Sequence, residues 1–142
     1  MLIFVVSKNK LGETGSSSLR KNQSDKRPHL LDRVIDVSVC SLSYILDFLP
    51  LEKFNYIEHI KTDNEGADAE VIKSLGDKIQ KVIYINSEIK HLTFEERSDF
   101  VEYMVNQDFE LFDMTPQEFF FKNKRYLNVI KEKEIKLMFA GT

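Results

Sequence analysis

Tryptophan is absent from this chain of 142 residues, cysteine occurs once, proline three times and glycine five times. The lone Cys40 has no partner for an intramolecular disulfide, so the sequence suits a reducing compartment. A cytoplasmic location follows as the expectation, with Cys40 as a small packing residue rather than a nucleophile. Charge of one sign is also scarce. A formal net charge of -3 gives no overall field to draw in a polyanion, and no nucleic-acid partner is expected. Long hydrophobic runs are missing too: Met1 to Val6 is apolar for only six residues, without a basic start or a cleavage site. That is too short for a signal peptide or a membrane span, and no membrane partner is expected.

Several chemical signatures are lacking as well. No H-x-H, H-E-x-x-H, C-x-x-C or G-x-S-x-G occurs, and no lysine follows Gly15 as a phosphate-binding loop requires. His29, His59 and His91 are too scattered to read as ligands, so no metal is expected. A calcium loop with Gly66 sixth would put Lys61 first and Ile72 twelfth, neither able to ligate.

What is there is enough for one folded domain. The chain is 42% hydrophobic and 30% charged with 11 phenylalanines, which sets it apart from disordered sequences and fits a single unit over residues 1–142. Leu2 to Val6 reads as a strand, followed over residues 7–28 by a long loop of glycines, serines and charges. Its basic residues Arg20, Lys21, Lys26 and Arg27 are diluted by Asp25 and read as a solvated face. Arg33 to Val39 alternates as a strand would, and Leu42, Ile45, Leu46 and Leu49 follow at helical spacing between Ser41 as cap and Pro50 as stop. Phe54 to Thr62 is the next expected strand, and Gly66 to Leu75 a helix with Ala67, Val71, Ile72 and Leu75 inward and Asp68, Glu70 and Lys73 outward. Gly76 suits the position just past its end.

Val82 to Ile85 is uninterrupted by polar residues, as in a strand covered on both faces. Thr93 and Glu96 form a capping box for a helix whose inward face carries Phe94, Arg97, Phe100, Val101, Met104 and Val105. Phe109 to Asp113 and Glu118 to Lys122 read as an antiparallel strand pair, and Tyr126 to Phe139 fits either helix or strand.

The junction "KTDNEGADAE", Lys61 to Glu70, carries the most chemistry. In open α/β sheets ligands bind beyond the carboxyl ends of the strands, where Lys61, Asp63 and Glu65 would lie. If the strand persisted to Glu65, the three would project one cation and two carboxylates the same way. The structural alternative is that Asp63 or Glu65 caps the following helix, worth about 0.5 to 2 kcal/mol.

The stretch "FNYIEHIKTDNEGADAEVIKSLG" resembles the signature of FkbM-type methyltransferases, approximately I-D-F-x-K-I-D-V-E-G-A-E-x-x-V-L-K-G. It matches at Ile57, Lys61, Asp63, Glu65, Gly66, Ala67, Val71 and Lys73, with Asp68 in place of the glutamate. The flanks "FVVSKNKLGETGSSSL", "VSVCSLSYIL", "VIYINSEI" and "NQDFELFD" are similar to family segments in the same order. Asn64 stands where the family prefers an apolar residue, and with Thr62 and His59 it implies relaxed burial.

The resemblance implies an α/β fold, a partial Rossmann-like class I methyltransferase sheet that is mostly parallel with an antiparallel end strand. It implies S-adenosylmethionine as cofactor and a small-molecule or sugar hydroxyl as acceptor. Catalysis would rest on holding the acceptor in line with the sulfonium methyl, an effect that reaches about 7 to 11 kcal/mol in favourable cases. Asp63 or Glu65 would position or deprotonate the hydroxyl, a gain of about 100- to 10,000-fold. Lys61 would orient an acceptor oxygen, and Glu88, ending the next strand, would bind substrate. The family's glycine-rich turn and the acidic residue that hold the cofactor have no counterpart here, so the cofactor-binding residues are unknown and the isolated chain is expected to be inactive. Phe54 to Thr62, interior in a complete sheet, would keep an open edge for an N-terminal half chain or a second copy. The alternative function is a non-catalytic interaction module that uses this edge.

Overall fold

The computed structural model describes residues 2–7 and 31–140. The long loop over 8–28, with Gly15 and the diluted basic patch, and His29 lie outside the described residues. Strands β1 (Leu2–Ser7) and β2 (Leu31–Val37) pair antiparallel with Leu2 opposite Val37, forming a two-stranded sheet of their own. The rest of the chain alternates helix and strand around a second sheet.

Helix α1 (Leu42–Asp47) starts where expected, with the Ser41 hydroxyl accepting from the Tyr44 N–H at 3.0 Å. Of its expected apolar face only Leu46 is buried, Ile45 and Leu49 being exposed. After a 3-10 turn at Leu51–Lys53 come β3 (Ile57–Thr62), α2 (Asp68–Lys73), a second 3-10 stretch at Gly76–Lys81, and β4 (Val82–Glu88). Gly76 has φ +54°, the left-handed conformation favoured by glycine past a helix end. Helix α3 (Phe94–Asn106) opens on the capping box: Glu96 N–H donates to Thr93 Oγ1 at 3.2 Å, and Thr93 N–H to Glu96 Oε2 at 2.7 Å. Strands β5 (Phe109–Met114) and β6 (Glu118–Asn123), a 3-10 turn at Lys124–Tyr126 and α4 (Leu127–Ala140) complete the chain, so the ambiguous tail is helical.

The larger sheet has the order β3-β4-β6-β5. Only β3 and β4 run parallel; β4–β6 and β6–β5 are antiparallel, so the sheet is mixed rather than mostly parallel as expected. The reason lies in the short connection between β5 and β6, which permits only an antiparallel hairpin, and in β6 rather than β5 lying beside β4. The strand expected at Arg33–Val39 also stands apart, as β2 pairing with β1.

The core lies on one face of this sheet. Ile85, Phe119 and Phe121 pack with Ile72 of α2 and with Phe100 and Met104 of α3, and the Phe100 and Phe121 rings meet edge-on at 5.4 Å. Burying each such side chain contributes about 1.5 to 3 kcal/mol. Phe94 and Val105, at the two ends of the expected inward face of α3, are exposed. On β4, Val82, Ile83 and Ile85 are buried as expected while Tyr84 is half-buried. On the opposite face Tyr84, Asn86 and Glu88 lie beside Lys122, Phe120 and Glu118 of β6. Among the described residues no helix is long and apolar enough to cross a membrane.

Candidate functional site

The parallel pair β3–β4 brings its two carboxyl ends together, and a buried hydrogen bond fastens them: Thr62 Oγ1 and Ser87 Oγ are 3.0 Å apart. Thr62 is therefore a satisfied core hydroxyl, against the expectation of relaxed burial, whereas His59 and Asn64 are exposed. β3 forms the edge of the four-stranded sheet, so Lys61 to Glu65 leave from an edge strand and not an interior one.

The strand ends at Thr62, and the turn that follows breaks the expected common direction of Lys61, Asp63 and Glu65. Asp68 organises this turn. Its carboxylate accepts from the N–H of Asn64 at 3.1 Å and of Gly66 at 3.3 Å, and its residue is fully buried. Burial pushes the Asp68 carboxyl up from its usual range, while bonds to Thr62 and the turn amides oppose the rise. The acid that organises the turn is thus Asp68, placed on the outward helix face by sequence periodicity, and α2 has no side-chain cap from Asp63 or Glu65.

Held by these bonds, Glu65 (φ +52°) and Gly66 (φ +102°) both take left-handed conformations. For a residue with a Cβ that costs about 1 to 2 kcal/mol. The turn directs Glu65 inward, and its Oε2 lies 2.7 Å from Nε2 of His91. His91 arrives from the other side. After β4 the chain turns at once, Ile89 N–H donating to Gln117 C=O at 2.7 Å and Leu92 N–H to Ile89 C=O at 3.0 Å, which carries His91 back over the strand end.

Glu88, the last residue of β4, completes the group. One donor atom each from Glu65, Glu88 and His91 lies within 4.8 Å of the others. Glu88 Oε2 has almost no solvent-accessible surface and no hydrogen-bond partner. Burial, and after it the negative charges of Asp63, Glu65 and Asp68, raise the Glu88 carboxyl to about 7. Lys61 points elsewhere: its Nζ is 3.2 Å from Glu118 Oε1, a bridge that must cross β4 because β3 and β6 flank that strand.

The structure thus unites Glu65 and Glu88, keeps Asp63 near them at the exposed rim, and engages Lys61 with Glu118. His91 was not among the expected site residues. Its sequence signal is the spacing Glu88-x-x-His91 at the end of a strand, which no paired-histidine motif contains.

The described residues do not form a cradle for S-adenosylmethionine. The described glycines, Gly66 and Gly76, both serve turns around α2, and no strand, glycine-rich turn and helix precede β3 among the described residues. Against known families, residues 3–126 match the methyltransferase FkbM domain, and the chain belongs to that family. No curated protein and no solved structure matches it.

Proposed function

We propose that this FkbM-family chain takes part in S-adenosylmethionine-dependent O-methylation of a small-molecule or sugar hydroxyl, supplying the acceptor side as half of a split enzyme. The observation that carries the reading is the convergence of Glu65 and Glu88, with Asp63 at the rim, where the parallel strands end. Methylating a hydroxyl requires a group to take its proton. A carboxyl raised to about 7 is matched to that task near neutral pH, which makes Glu88 the proton acceptor and Glu65 its positioning neighbour. Asp63 flanks the acceptor entrance and holds its polar groups, while Lys61, engaged with Glu118, is left out of the role expected for it. Cofactor capture is assigned to a glycine-rich strand, turn and helix that lie outside the described residues.

The test combines the chain with the glycine-rich N-terminal half of another FkbM-domain protein. Transfer of a labelled methyl group to a panel of sugars and small alcohols is then followed. Turnover is expected in the mixture, and Glu88→Gln should lower it by about 100- to 10,000-fold. Unchanged turnover in that variant would remove the assignment of Glu88. Calorimetry of the chain alone should show no tight S-adenosylmethionine binding; tight binding would overturn the split. The open edge of β3 favours one other reading, a non-catalytic interaction module, for which the mixture would form a complex without turnover.

A further inference from the structure

The geometry points to a divalent transition-metal site built by Glu65, Glu88 and His91. The inference stands on side-chain placement and does not depend on the methyl-transfer reading. Two carboxylates and an imidazole converge from the β3–α2 turn, the end of β4 and the turn that follows it, with donor atoms within 4.8 Å of one another. Around an ion at about 2.1 Å from its ligands, donor atoms sit roughly 3 to 4 Å apart, so small side-chain rotations close the site. The imidazole is 10% exposed and the Glu65 carboxylate 22%, which removes the group from bulk water while leaving a way in.

An ion pair between His91 and Glu65 would by itself account for their 2.7 Å approach. It does not account for Glu88. That carboxylate ends in the same group with Oε2 shielded from solvent and without a hydrogen-bond partner, a costly arrangement for an oxygen unless something binds it. The surrounding Asp63, Glu65 and Asp68 add negative charge that a divalent cation offsets. Asn86, two residues before Glu88 on the same face of β4, has a second shielded oxygen without a partner.

The donor set selects the class of ion. Magnesium and calcium favour all-oxygen surroundings, whereas one imidazole with two carboxylates suits manganese, iron, cobalt or zinc in the divalent state. Three protein ligands leave coordination positions for water or a substrate oxygen.

The test uses the full chain stripped with a chelator, with neither cofactor nor acceptor present. Manganese(II) is titrated in, and the free ion is followed by electron paramagnetic resonance. The expected result is one manganese bound per chain, displaced by cobalt or zinc more readily than by magnesium or calcium. Manganese avoids ambiguity from the exposed Cys40, since thiolates favour softer ions. Glu88→Gln and His91→Ala should each weaken binding by at least about tenfold, while His59→Ala on exposed β3 leaves it unchanged. Should either site variant not fold, paramagnetic broadening of wild-type resonances decides the matter, because it should centre on residues 65, 88 and 91. Absent binding, broadening centred elsewhere, or equal affinity for magnesium would overturn the site and leave a plain ion pair. None of these results bears on methyl transfer.

Discussion

At the scale of single residues, Glu88 is where the electrostatics can be read by experiment. Its carboxyl is raised from 4.5 to about 7, so the folded state binds this proton more tightly than the unfolded state does. The associated stability is fully present below the unfolded value and is lost as pH rises through the folded one. With chelator present, Glu88→Gln should therefore melt close to wild type near pH 5 and above it near pH 8, since glutamine escapes the burial and repulsion that the ionised carboxylate meets. Thermal melts across that range check it; a difference that stays constant with pH would show that Glu88 does not titrate as described. Asp68 was legible as an acid beside the junction but not as its organiser. Helical periodicity assigns a charged residue to the solvent face, and only the turn geometry reveals two backbone N–H groups waiting for its carboxylate.

At the scale of elements, the core hangs on the inward side of β6. Phe121 is fully buried against Phe100, so Phe121→Ala should cost about 3 to 5 kcal/mol in denaturant unfolding. Phe112→Ala on the exposed side of β5 should cost much less, and comparable losses from the two would contradict the one-sided core. Elements with strong local signals were legible: the capping box of α3 from Thr93 and Glu96, β4 from its apolar run, and β5 with β6 as an antiparallel pair. Those that depend on distant partners were not. Nothing local in Glu118 to Lys122 says that this strand, rather than Phe109 to Asp113, lies beside β4, nor that β2 pairs with β1 outside the larger sheet. The candidate site divides in the same way. Glu65 and Glu88 could be read from strand ends, but His91 joins them through a contact between two separate turns that no periodicity encodes.

At the scale of the whole molecule, the unanswered demand is the outer edge of β3. Among the described residues that edge has no hydrogen-bonded strand beside it, and the side chains of Glu58, His59 and Lys61 along the strand are exposed. The segment leading into it is unusually apolar at its surface: Val39, Tyr44, Ile45, Phe48, Leu49 and Phe54 are all exposed. Charged side chains on an edge strand discourage indiscriminate pairing, whereas grouped apolar side chains mark surfaces that bind something. Together they fit the proposed use of β3 as a docking edge. An edge strand turns alternate amides outward, so hydrogen exchange should find only those facing β4 protected in the monomer. The outward amides of residues 57–62 should become protected when a partner half chain is added, together with a shift to a larger species in sedimentation. If every amide of β3 is already slow in the monomer, the edge is covered by this chain itself, and the case for a second polypeptide falls with it.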